Sequence, residues 1–296
     1  MKIIETKNLT KHYGKSTGVI DLNLVINEGD IYGFIGPNGA GKSTTIRILL
    51  GLLSPTSGQA AVLGKDCVKQ KNEILSSVGY MPSESLFYNN MRVNEILKFS
   101  AKLHKKDCTI KARSLCDRLL IDTKKRIDEL SLGNRKKVSI VCALQHSPML
   151  YILDEPTSGL DPLIQKEFFS ILMERHKEGA TIFISSHVLS EIQRYCKNAA
   201  IIREGEIIIS NSVEALSKSS ARRVNLYGVS KVPSIEGILD VSYQENMTSF
   251  LFNGDMQRLI SALNEQPITD MTVSEPDIEE IFMHFYSKGG EQNDCI

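Results

Sequence analysis

Along this chain of 296 residues the apolar positions change rhythm several times, and each change marks an element. Residues 3–9 and 20–26 read as two strands flanking a polar turn, Lys11 to Gly18, that holds Tyr13. Ile31-Tyr32-Gly33-Phe34-Ile35 is a short apolar strand, and Thr44 to Leu50 a helix that Gly51 is placed to end. A breaker-rich loop, Leu52 to Gly58, leads into further strands at Ala60–Leu63 and Ser77–Met81. Strand signals are then sparse from 92 to 146. Val93, Ile96, Leu97 and Ala101 fall at helical spacing, as do Leu115, Leu119 and Leu120. This predicts a helical subdomain, about 88–147, inserted between sheet segments.

The run Met149-Leu150-Tyr151-Ile152-Leu153 is apolar throughout, which suits a parallel strand buried on both faces. A helix from Pro162 to Lys177 follows, then a buried strand at Thr181–Ser185, a helix over 187–196, and a hairpin of 199–203 with 206–210 across Glu204-Gly205. Composition shifts to a polar linker at Ser217–Ser220. Beyond it, strands at 222–227, 238–243, 248–252 and 268–273 alternate with a helix from Asp255 to Asn264 and a last helix from Pro276 to Tyr286, with a frayed tail from Gly289. The expected organisation is an α/β domain over 1–216 and a small α+β domain over 217–296.

Charge changes little in this picture: Lys plus Arg number 35 and Asp plus Glu 35, so the formal net charge is zero. That balance argues against a dedicated nucleic-acid binder. The basic clusters Lys102–Lys106 and Lys124-Lys125-Arg126 read as solvated helix faces. No apolar run approaches the ~20 residues that span a bilayer, and the amino terminus has no signal-peptide core. The six cysteines show no C-x-x-C pair, so free thiols in a reducing compartment are expected.

Chemistry enters at Gly36-Pro37-Asn38-Gly39-Ala40-Gly41-Lys42-Ser43-Thr44, which fits G-x-x-x-x-G-K-[ST] between a strand and a helix. The glycines let backbone N–H groups approach polyphosphate oxygens, and the helix N-terminus adds partial positive charge. Lys42 is expected to reach the β- and γ-phosphates and Ser43 to hold Mg²⁺. Asp154 and Glu155, adjacent carboxylates at the end of a buried strand, are costly unless they serve a cation. Beside a phosphate loop Asp154 would hold Mg²⁺, and Glu155 would polarise the attacking water as general base. Leu130-Ser131-Leu132-Gly133-Asn134 opens a basic-apolar helix and offers a second anion site, although taken alone it reads as an ordinary capped helix.

In combination these motifs resemble the nucleotide-binding subunit of an ABC transporter over residues 1 to about 215. The resemblance rests on the Walker A loop at 36–44, the signature at 130–134 and the Walker B run ending in Asp154-Glu155. Ser158-Gly159-Leu160-Asp161 is similar to the D-loop, and Ser185-Ser186-His187 to the switch histidine. It implies a P-loop ATPase core of ABC type that binds ATP with Mg²⁺. It also implies a head-to-tail dimer in which each ATP lies between Walker A of one subunit and the signature of the other. Ser131 and Gly133 would then touch the partner's γ-phosphate, with Leu132 and Asn134 beside them. Tyr13 would stack on adenine, His187 would hold the γ-phosphate geometry, and Asp161 would lie at the seam. The expected partner is a separate integral-membrane permease, and the expected place the cytoplasmic face of the cell membrane. Ser274–Met283 is similar to the ending of exporter ATPases, so export is the expected direction.

The chain departs from the family pattern in places. Its signature reads L-S-L-G-N, where the common form is L-S-G-G-Q. At the Q-loop position, after Val78-Gly79-Tyr80-Met81-Pro82, stands Ser83, followed by Glu84, where glutamine is usual. Either the loop bulges to present Glu84 to Mg²⁺, or the site works without a direct contact. The second reading is taken here, because Pro82-Ser83-Glu84-Ser85 shows nothing that would compensate a bulge. Two other functions compete. A soluble ABC-type ATPase of translation or DNA repair usually carries two cassettes or a coiled-coil insert, and neither is seen. A phosphotransferase would have no use for a signature.

Overall fold

The computed structural model describes residues 1–14, 16–217, 222–229, 232, 235–244, 246–264 and 266–274. They divide between two compact units, Met1–Ser210 and Asn211–Ile296.

The first unit begins with an antiparallel sheet of β1 (Lys2–Tyr13), β2 (Ser16–Leu22), β3 (Val25–Asn27), β5 (Ser57–Val62) and β6 (Lys65–Asp66), in the order β2-β1-β5-β6 with β3 also on β1. Tyr13 is therefore not in a loop: it ends β1, paired with Ser16 of β2. The strands run further into the polar stretch than its composition suggested, because Lys11 and His12 pair across to Val19 and Thr17. The single strand expected over 20–26 is broken between Leu22 and Val25, where the Thr6 hydroxyl accepts from Leu24 N and donates to Leu22 O, both at 2.8 Å.

The second sheet runs β11-β10-β4-β9-β8-β7, built from β4 (Ile31–Ile35), β7 (Val78–Met81), β8 (Leu150–Asp154), β9 (Thr181–Ser186), β10 (Asn198–Arg203) and β11 (Glu206–Ser212). From β10 through β7 its pairs are parallel. Every residue of β4, β8 and β9 is buried, as strands covered on both faces require. Helix α1 (Lys42–Leu49) packs Ile46 and Leu49 into a core shared with Leu9, Ile26, Phe34 and Phe183. Helix α2 (Lys71–Ser77) was not legible in the sequence: two turns with one buried residue, Ile74, leave no period to read.

Between β7 and β8 lie α3 (Val93–Leu103), α4 (Thr109–Arg118) and α5 (Leu132–Leu144), with no strand longer than an isolated bridge. Leu120, expected on the stripe of α4, instead follows its end, with φ +55° and an exposed side chain. Arg118 of α4 binds α6 (Pro162–Lys177), its Nε 2.5 Å from Glu167 and its two terminal nitrogens 2.7 and 2.8 Å from Glu174. Helix α7 (Leu189–Tyr195) follows β9.

In the second unit, α8 (Val213–Ser217) precedes an antiparallel sheet ordered β13-β14-β12-β15, from β12 (Arg222–Tyr227), β13 (Ile238–Gln244), β14 (Met247–Phe252) and β15 (Asp270–Ser274). Helix α9 (Met256–Leu263) starts where the Asp255 carboxylate accepts from Gln257 N, and it buries Leu259 and Leu263 against Val224, Leu226, Phe250 and Phe252. The linker at 218–220, the helix expected from Pro276 to Tyr286 and the tail from Gly289 lie outside the described residues. Cys67, Cys108, Cys116, Cys142 and Cys196 are free thiols.

Candidate functional site

The loop 36–41 leaves the buried end of β4 and turns directly into α1. Gly41 caps that helix at φ +107°, and a Cβ there would lie 2.5 Å from Gly18 O, so the turn admits only glycine. Gly39, at φ +83°, has open space beside it. Around this turn lies a cavity of about 220 Å³ lined by Asn38, Gly39, Lys42, Ser43, Thr44 and Glu155, with Tyr13, Thr17 and Gly18 at its other wall. Tyr13 is half exposed, its hydroxyl 3.5 Å from Thr44 Oγ1. Thr17 and Gly18 carried no signal in the sequence, because nothing local marks the strand that comes to face a distant loop.

Lys42 is almost fully buried and turns back on its own loop. Its Nζ donates to Gly36 O at 2.6 Å and Pro37 O at 3.0 Å, and lies 3.1 Å from Glu155 Oε1. The other oxygen, Glu155 Oε2, is 3.2 Å from His187 Nδ1. Burial alone would push the Glu155 carboxyl up, but Lys42 and then His187 outweigh it and hold it below the usual carboxylate range. The sheet register explains the convergence. Asp154 pairs with Ser185 across β8 and β9, so the residues just past both strand ends, Glu155 and His187, leave the sheet side by side.

Ser185 holds both carboxylate residues. Its hydroxyl donates to Asp154 Oδ1 at 2.5 Å and accepts from Glu155 N at 3.1 Å, while Ser185 O also accepts that N–H at 3.1 Å. Glu155 has φ +46°, a left-handed conformation that costs a residue with a Cβ about 1–2 kcal/mol and persists only where its surroundings fix it. The sequence had singled out Ser185-Ser186-His187 for the histidine alone; the serine was the overlooked member. Ser43 and Asp154 supply hydroxyl and carboxylate oxygens, donors that a magnesium ion prefers, beside a lysine fit for phosphate. The residues present therefore fit Mg²⁺ with a polyphosphate.

The signature residues stand apart: none of Ser131 to Asn134 lines this cavity. Ser131 caps α5, its hydroxyl accepting from Asn134 N at 3.3 Å, which leaves its own O–H free to donate outward. Leu132, where the common pattern has glycine, is 72% exposed. Gly133 packs so close to the loop after β8 that a Cβ would lie 2.9 Å from Gly159 O. Asp161 caps α6 by accepting from Ile164 N at 3.0 Å. Ser83 is half-buried and Glu84 exposed, and neither lines the cavity.

Comparison with known proteins identifies the family. The model of the family described as ABC transporter matches residues 19–158. The bacitracin transport ATP-binding protein BcrA of Bacillus licheniformis is 43% identical over 224 residues, covering 74% of this chain and 73% of that protein. The protein of the same name from Enterococcus faecalis is 34% identical over 97% of both chains. A solved structure, an ATP-binding subunit of an ABC transporter, superposes with a TM-score of 0.69 at 28% identity, covering 73% of this chain and 92% of that one. With a phosphate loop, a carboxylate pair and a capped signature helix in one cassette, the chain belongs to the ABC transporter family as an ATP-binding subunit, an ATPase of ABC type.

Proposed function

We propose that this subunit hydrolyses ATP to drive a separate integral-membrane permease of an exporter, from the cytoplasmic face of the membrane. The observation that carries the proposal is the cluster in which Glu155 lies between Lys42 and His187 at the mouth of the phosphate cavity. Lys42 binds the β- and γ-phosphates once it exchanges its contact with Glu155 for phosphate oxygens. The carboxylate so released takes the proton of the attacking water, and His187 steadies the γ-phosphate. Ser43 and Asp154 would hold Mg²⁺, which when bound neutralises charge on the β- and γ-oxygens.

None of Ser131 to Asn134 of its own chain lines the cavity, and Ser131 and Leu132 at the start of α5 are exposed. That arrangement supports a second copy supplying Ser131 and Gly133 across a dimer, with Tyr13 against the adenine and Asp161 at the seam. A groove of about 470 Å³ beside α3, lined by Leu86, Phe87, Tyr88, Phe99 and Leu103, follows the Ser83-Glu84 segment. Leu86, Tyr88 and Leu103 are exposed there, an apolar surface suited to the permease. Among the described residues no helix is long and apolar enough to cross a membrane. Both named relatives carry bacitracin in their names, which makes bacitracin the first cargo to test.

Affinity capture of the tagged chain from detergent-solubilised membranes tests the reading. A polytopic membrane protein should co-purify and stimulate ATP hydrolysis. Recovery with ribosomes or DNA, and no membrane protein, would sink it.

A further inference from the structure

Glu155 has a fourth neighbour that the reaction as described does not use. Lys136 lies in the second turn of α5, is 5% exposed, and donates from Nζ to the main-chain carbonyl of Glu155 at 2.7 Å. A buried ammonium is costly unless it is paired and hydrogen-bonded. A chain keeps such a group only where it satisfies something.

What it satisfies is the far side of a residue in a left-handed conformation. The Glu155 N–H is held by Ser185, and the Glu155 carbonyl by Lys136. With both ends gripped the main chain is fixed, and the side chain runs from it toward Lys42 and His187. Only one of those grips comes from the sheet. The other comes from the helix whose first turn carries the signature, and Gly133 of that turn already lies against Gly159 of the loop that follows Glu155.

We propose that Lys136 is a positioning residue that fixes the Glu155 main chain, and that through it the signature helix of a subunit sets the aim of that same subunit's general base. This rests on the reading above, in which Glu155 is the base and Ser131 meets the partner's nucleotide. Engagement of Ser131 in one site is then felt, through a rigid stretch of α5, at the carboxylate that serves the other site. Lys136 does not line the cavity and acts only through Glu155.

The test compares Lys136→Met, Lys136→Arg and Glu155→Gln in the full chain. Three readouts are taken: steady-state hydrolysis, affinity for a fluorescent ATP analogue, and amide exchange of the segment 154–161. Lys136→Met keeps length and apolar bulk but leaves the Glu155 carbonyl without its donor. It should lower kcat at least tenfold, leave nucleotide affinity within about threefold, and speed exchange in 154–161 while the strands of the sheet stay protected. Lys136→Arg retains a charged donor and should recover most of kcat. If Lys136→Met does not fold, Lys136→Leu, which likewise lacks a donor, takes its place with the same expectations. A folded Met or Leu variant with wild-type kcat overturns the proposal. So does a loss of kcat and nucleotide affinity together that Arg does not relieve. Glu155→Gln separates the two levels: if it hydrolyses ATP at the wild-type rate, the base assignment fails. If it is inactive while Lys136→Met is not, only the positioning role fails.

Discussion

Lys42 and Glu155, which both line the phosphate cavity, form an ion pair with Nζ 3.1 Å from Oε1. The lysine that is to bind phosphate and the carboxylate that is to activate water thus neutralise each other. Phosphate and Glu155 compete for one ammonium, so changes at the two positions should have opposite effects on binding.

Glu155→Gln removes the competing charge and the proton acceptor together. The variant should bind MgATP at least as tightly as the parent, lose about 10²- to 10⁴-fold in turnover, and accumulate as an ATP-bound dimer. Lys42→Ala should instead weaken nucleotide binding. Nucleotide titration and size-exclusion chromatography with ATP distinguish the two; a Glu155→Gln protein that turns over normally is the contrary result.

At the Q-loop position Ser83 is half-buried and Glu84 exposed, and neither lines the cavity; we propose a site that works without a direct contact there. Ser83→Gln should preserve or raise ATPase activity, and Glu84→Ala should change it little. If Glu84→Ala abolishes turnover in a protein that still folds and binds ATP, the bulged-loop alternative is the better account.

Stability should depend on pH through His146. It is buried, stacks on His104 with ring centroids 3.6 Å apart, and meets Val78 O through Nε2 at 3.2 Å. Burial first, and then the neighbouring His104 and Lys106 charges, push its pKa down to about 4; burial lowers His104 as well. Both histidines take up a proton near pH 6.5 when unfolded, so the unfolded chain binds more protons than the folded one below that pH. The His146 contribution is fully present above about 6.5 and is lost as pH falls toward about 4, and the His104 depression acts in the same direction. Denaturation midpoints measured from pH 7.5 to 5 should fall, and His146→Phe should flatten the fall. Parallel curves for the two proteins would rule this out.

The cavity and every residue that lines it lie within Met1–Ser210. A chain ending at Ser217, which keeps β11 whole, should fold and bind ATP with near-parental affinity. The remaining unit then serves assembly or regulation. A shortened protein that melts cooperatively yet fails to bind ATP would show that the second unit takes part in the nucleotide site.

The sequence alone determined what is local. The phosphate loop is consecutive residues between a strand and a helix, and the helix over Pro162–Lys177 begins at a cap and a proline that can be read directly. The strands Ile31–Ile35 and Leu150–Asp154 were legible as apolar runs, but a strand buried on both faces has no alternation to fix its register. Tertiary structure decided that register, and with it the pairing of Asp154 with Ser185 that sets Glu155 beside His187 and Lys42. It also decided that Lys136, an unremarked basic position of an amphipathic helix, turns inward to the Glu155 carbonyl. Spacing places a side chain on a face of its own helix, but what that face meets depends on how distant segments pack.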